Sequence, residues 1–139
     1  MCTVITPDDF KGFWNLSQNC YKKDDMQSYI DTFSPMYLCK LLGEPLFTDF
    51  LNDCTNPIYS FLFEKGCYDG GLKDMLLGFV FYHYVISEQF QNTITGTIAS
   101  NNETSNQVST SVLHAEANRR WNTSVSYYRL IQKKIKEHF

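Results

Sequence analysis

"LKDMLLGFVFYHYVISEQF", Leu72 to Phe90, is the stretch whose reading decides the fold. Leu72, Met75, Leu76, Phe79, His83, Ile86 and Phe90 recur at steps of three and four, the spacing of one helix face. Leu77, Phe81, Tyr84 and Val85 occupy a second face. A helix that is apolar around most of its circumference is buried on more than one side, so this segment is expected to be the central helix, with others laid around it. Gly78 inside it costs about 1 kcal/mol relative to Ala, a cost expected where another helix must approach closely.

On the C-terminal side, Leu113 to His138 reads as a long amphipathic helix. Ala117, Trp121, Val125, Tyr128, Ile131 or Gln132, and Ile135 lie on one side, and Ser109, Thr110 or Ser111 is placed to cap it. On the N-terminal side, Met26, Tyr29, Ile30, Phe33, Tyr37 and Leu41 mark another helix, begun at Asp24 or Asp25 and ended at Gly43. Pro35 falls within that pattern and predicts a kink or break near Phe33 and Ser34. Two short helices follow. One has Pro45 in its first turn and Leu46, Phe47, Phe50 and Leu51 as its stripe; the other starts at Asn56 and Pro57 and stops at Gly66. "TVITPDDFKGFW" reads as a short extended piece leading into a turn that Asp8 or Asp9 can cap.

Between the last two long helices lies "QNTITGTIASNNETSNQVSTS", Gln91 to Ser111, with no Lys or Arg and a single acid. Its halves are extended in character, rich in Thr and Ile, around the turn-forming "NNETS". A protruding arm or loose β-hairpin over residues 92–111 is expected, with a plain flexible loop as the other reading. The fold class expected is therefore mainly α: a single domain over residues 1–139, a bundle of four to five helices with that arm protruding.

The 139 residues, 43% hydrophobic and 16% aromatic, suffice for one domain with a real core. No apolar run reaches the roughly 20 residues of a membrane span, and no secretory leader is visible in "MCTVITPDDF". Cys2, Cys20, Cys39, Cys54 and Cys67 form an odd set without a C-x-x-C pair, read as reduced thiols. Charge is divided by position: residues 1–117 carry six basic and fourteen acidic groups, residues 118–139 six basic and one acidic. The last helix thus sets a basic face on an acidic body, either as a solvated surface that complements the helix dipole or as an interaction surface.

No chemistry-bearing constellation is legible. His83, His114 and His138 are too scattered for a metal site, no phosphate-cradling loop or nucleophile elbow occurs, and the acidic pairs sit at helix starts, where capping explains them. An enzyme is not expected, nor is a cofactor. Arg119, Arg120 and Trp121 followed by Tyr127, Tyr128 and Arg129 interleave cations with aromatics as single-strand nucleic-acid binders do, although a pI near 5.5 opposes tight backbone binding.

Three segments carry a resemblance: "ITPDDFKGFWNLSQNCYKKDDMQSYIDTFSPMYLCKLLGEPLFTDFL", "GLKDMLLGFVFYHYVISEQFQNTITGT" and "ANRRWNTSVSYYRLIQ". Together they resemble the head-tail connector (adaptor) proteins of tailed phages, in particular the neck ring proteins of crAss-like phages, from about Ile5 to Ile131. The motifs that carry it are the run of Tyr and Leu from Tyr29 to Gly43, "GLKDML" at Gly71 to Leu76 and "NT..G" at Asn92 to Gly96. The resemblance implies a structural virion subunit, made in the bacterial host cytoplasm and resident in the neck. It would form a ring of twelve copies below the portal protein, extend the DNA channel, let genomic DNA pass without specific binding, and give other neck or tail proteins a platform. Contacts to neighbours or the portal are expected at Asn92, Thr93, Ile94, Thr95 and Gly96 in the arm and at Arg119, Arg120 and Arg129. The alternative is a small nucleic-acid-binding or regulatory protein that uses the basic C-terminal helix.

Overall fold

Among the described residues five α-helices carry the architecture: α1 (Lys23–Leu42), α2 (Glu44–Asn52), α3 (Ser60–Phe63), α4 (Gly71–Ile94) and α5 (Thr110–His138), with short 3-10 turns at Pro7–Asp9 and Pro57–Tyr59. They belong to a computed structural model that describes residues 3–10, 23–66, 69–94 and 110–139. No strand occurs among the described residues, and the chain is mainly helical, as expected.

The centre is an antiparallel hairpin of α4 and α5, the most extensive helix pair in the fold. Its logic is a seven-residue repeat. On α5, Ala117, Ser124 and Ile131 are fully buried, and Trp121, Tyr128 and Ile135 flank them half-buried, also seven apart. On α4, Leu72, Met75, Leu76, Phe79 and Val80 are almost wholly excluded from water. Apolar positions repeating every seven residues keep one seam facing the partner helix, the geometry of knobs packed into holes. Small residues at Ala117 and Ser124 leave room for the large side chains of α4.

α1 lies across this hairpin and buries Met26, Ile30, Tyr37, Leu38, Leu41 and Leu42. It runs unbroken through Pro35, so of the kink or break expected there, the break does not occur. Proline forfeits one backbone hydrogen bond and crowds the preceding turn. Here the buried residues on both sides of it, Ile30 before and Tyr37 and Leu38 after, hold the helix in one piece. Asp24 and Asp25 fall inside its first turn and not at its cap.

Gly43 does end α1, its N–H donating to the Cys39 carbonyl at 2.9 Å, and its own carbonyl starts α2 by accepting from Phe47 N at 2.8 Å. One residue can serve two helices because φ is +82° there, where a side chain is disfavoured. Asn56 caps the next turn through its side chain, which accepts from Ile58 N at 3.1 Å. At the N-terminus Asp9 accepts from Thr6 N at 2.8 Å, as a capping residue should. Cys54 is disulfide-bonded, which corrects the reading of all five cysteines as reduced; Cys39 is free.

The bounds expected for the arm, residues 92–111, are corrected at both ends. Asn92, Thr93 and Ile94 continue α4, and α5 begins at Thr110. Extending an existing helix adds one hydrogen bond per residue without a new nucleus, and Thr or Asn costs only a few tenths of a kcal/mol there. Thr95, Gly96 and the rest of the stretch to residue 109 lie outside the described residues.

α4 begins at Gly71, whose φ of +81° strains any side chain and whose Cβ would sit a tight 3.1 Å from the Phe63 carbonyl oxygen. Gly71→Ala is expected to destabilise the fold by about 1–3 kcal/mol, read as a lower urea midpoint with an unchanged m-value.

Candidate interaction surface

Where α1, α4 and α5 meet, the surface opens into a groove of about 300 Å³. Tyr37 of α1, Phe79 of α4 and Trp121, Val125 and Tyr128 of α5 form its apolar walls. Lys40 and Arg129 stand on the rim, both exposed, and no carboxylate lines it. Helical spacing produces this arrangement. Lys40 is one turn beyond Tyr37, and Arg129 follows Tyr128 just outside the buried seam. Lys40 Nζ lies 5.6 Å from the Tyr37 ring centre, and neither cation has an ion-pair partner among the described residues.

Behind the groove is a cluster of rings. Phe79 stacks on Tyr37 at 4.3 Å and meets Trp121 in a T-shaped contact at 4.8 Å. His83 stacks on Phe33 at 3.8 Å, and its Nε2 is 2.7 Å from the Tyr37 hydroxyl. Burial holds the His83 pKa below its ordinary value, because the imidazolium would be poorly hydrated here. Tyr37 and Tyr82 face it, and burial raises the Tyr37 pKa, so the hydroxyl bonded to His83 supplies no compensating negative charge near neutrality.

With its folded pKa depressed, His83 binds fewer protons in the native than in the unfolded state, so stability is lost as pH falls through the unfolded value of about 6.5. His83→Gln is expected to flatten the part of the stability-versus-pH curve just below pH 6.5, measured by urea unfolding at successive pH values.

The eight residues expected at contacts are only partly gathered. Arg119 and Arg120 converge on Glu116 of the same helix, with Nη2 atoms 2.7 and 2.9 Å from its carboxylate. Burial disfavours the Glu116 carboxylate, but its hydrogen bonds and ion pairs with Arg120 and Arg119 outweigh that and hold its pKa below the usual range. Arg120 also lies over the Phe81 ring at 4.5 Å, so it is largely committed within the chain, whereas Arg119 is exposed. Arg129 is nine residues further along α5, about 13 Å away along the axis, in the groove. Asn92, Thr93 and Ile94 form the last turn of α4, and Thr95 and Gly96 lie outside the described residues.

A second exposed stretch of the chain has the opposite charge, and the bases beside it, Lys65 and Lys73, are paired with Asp74 and Asp9. Leu41 to Glu64 contains four acids and no Lys or Arg. Glu44, Asp49, Asp53 and Glu64 are all exposed. Asp49 accepts from the Tyr59 hydroxyl, whose pKa is pushed up to about 12 by burial and by that carboxylate. Between Asp53 and Glu64, Ile58 is 52% exposed, unusual for a large aliphatic residue in this fold. Sequence reasoning singled out neither Ile58 nor Lys40. The run without a base was visible in the sequence, but the exposure of Ile58 depends on the 3-10 turn that carries it.

Comparison of the chain with family models, with curated proteins and with solved structures found no match in any of the three. Among the described residues no group of His, Cys, Asp and Glu could hold a metal ion, and no helix is long and apolar enough to cross a membrane.

Proposed function

We propose that the chain is a structural adaptor subunit of a tailed-phage neck. It assembles into a ring of twelve copies below the portal protein, extends the DNA channel, and gives tail components a platform. The observation that carries this reading is the presence of two exposed surfaces of opposite charge on one small helical domain. A head-to-tail ring is a heterologous interface, which needs two different complementary patches on every subunit. The sequence resemblance supplies the setting. The subunit works by assembly and not by turnover, inside the virion neck.

The test is light scattering of the purified protein over a concentration series, alone and with the portal ring. A discrete multi-copy complex, free or seated on the portal, is expected. A chain that remains monomeric and ignores the portal would overturn the reading.

A second reading, nucleic-acid binding through α5, draws on the cations and aromatics of the groove. Stacking of bases needs an open ring face, whereas Trp121 is hemmed in by Tyr37, Phe79 and Tyr82 at 4.8–6.0 Å. A salt-dependent shift of DNA by the isolated protein would favour this reading over the adaptor.

A further inference from the structure

We infer that the groove between α1 and α5 is the socket for a second copy of this chain, and that the occupant is the acidic turn around Ile58. This rests on the reading of the chain as a self-assembling subunit and specifies the contact through which it assembles.

Three properties match. The groove is walled by Tyr37, Trp121 and Tyr128 and is unoccupied by any described side chain, while Ile58 presents an aliphatic group to solvent on a turn held rigid by Pro57 and the Asn56 cap. Burying one Ile in an apolar socket is favourable by roughly 1.5–3 kcal/mol, enough to anchor an interface whose remaining contacts are polar. The rim of the groove carries two cations, Lys40 and Arg129, without ion-pair partners among the described residues. The turn is flanked in sequence by exposed Asp53 and Glu64, and the two bases beside it, Lys65 and Lys73, are each paired within the chain, with Asp74 at 3.8 Å and Asp9 at 4.0 Å. Opposite charges around an apolar contact fix its register and disfavour mispairing, because cation on cation or acid on acid is repelled. The two patches differ, so the contact is heterologous: each copy offers its turn to one neighbour and its groove to another, and repetition closes a ring or extends a filament.

Charge reversal tests the pairing. Two variants are made, Lys40→Glu with Arg129→Glu, and Asp53→Lys with Glu64→Lys, together with a chain carrying all four changes. All four positions are exposed, and circular dichroism with urea unfolding verifies that each variant is folded. Assembly is read as mass by light scattering, alone and on the portal ring. Each pair of reversals is expected to weaken assembly at least about tenfold, and the fourfold variant to regain most of it, since its groove and turn are complementary again. Ile58→Ser, which leaves every charge in place, is expected to weaken assembly by about the same factor. The wild-type complex should dissociate as salt rises. Variants that assemble as the wild type does would remove this contact and leave the adaptor reading standing. Folded pairs that fail without rescue in the fourfold chain would show that the two patches do not meet and overturn the inference. A wild type that never assembles would overturn the inference and the adaptor reading together.

Discussion

Phe79→Ala is expected to lower the unfolding free energy by roughly 3–5 kcal/mol, a fall in Tm of about 10–20 °C for a chain of this length. The side chain is 2% exposed and stands where the three long helices meet. Tyr37 of α1 stacks on it at 4.3 Å, and Trp121 and Tyr128 of α5 make T-shaped contacts with it at 4.8 and 6.3 Å. Truncation removes the buried area of a ring and leaves a void that three surrounding rings are too stiff to fill. Offset and edge-to-face pairs add about 0.5–1.5 kcal/mol each beyond area burial, so the loss should fall in the upper half of that range. Phe79→Leu, which conserves most of the volume, is expected to cost less than about 1.5 kcal/mol. Thermal unfolding of the two variants is the measurement. Equal losses would show that the site tolerates repacking, and that the helices are held together elsewhere along the seam.

The same seam shows what the sequence could and could not disclose. Its apolar members, from Leu72 to Tyr84 on α4 and from Ala117 to Ile135 on α5, were legible, because periodic burial of large apolar side chains is a strong local signal. Ser124 was not, although it is fully buried at the centre of the α5 repeat and its hydroxyl has no hydrogen-bond partner among the described residues. A serine in an amphipathic pattern reads as polar surface, and only the closeness of α4 makes small size its decisive property. Pro35 failed as a breaker for a related reason: a helix-wide buried face outweighs the loss of one turn bond. The threonine-rich stretch after Phe90 invited an extended reading because β-branched residues suit strands, yet its first residues follow α4, where the cost of nucleation has already been met.

The candidate contact surface was legible only as an inventory of charge. Six cations near the C-terminus read as one basic face, but the fold gives them different tasks. Arg120 is drawn onto Glu116 and Phe81, Lys134 reaches Asp69, and Arg129 is left on the rim of the groove. The partner of Lys134 lies 65 residues away in sequence, so no local pattern could have named it. What remains exposed, Arg119, Arg129, Lys133 and Lys136, is a narrower strip than the sequence total implies, and Lys40 joins it from another helix. Charge counts therefore located the polarity of the domain, while tertiary packing selected which charges are available to a partner.

Lys134 leads to the second large effect. Its Nζ is bonded to Asp69 Oδ2, and the other carboxylate oxygen accepts from Gly71 N at 2.9 Å, at the first residue of α4. The Asp69 carbonyl accepts from Gly66 N at 2.7 Å, so one buried acid ties the turn before α4 both to that helix and to α5. The two partners are not equivalent. Asp69 has 8% of its side chain exposed, whereas Lys134 has 30%. Lys134→Met keeps the aliphatic stem but leaves a buried carboxylate without its counter-ion, and is expected to cost roughly 3 kcal/mol, the low end for breaking a buried pair because water reaches the lysine side. Asp69→Asn retains an acceptor for Gly71 N and releases a lysine that can turn to solvent, so about 1 kcal/mol is expected. The double variant, with no charge left to bury, should be more stable than Lys134→Met alone, and urea unfolding of all four proteins measures that coupling. If the two single variants cost the same and their effects add, the pair behaves as a surface ion pair, and the entry into α4 is held by its glycines and backbone bonds alone.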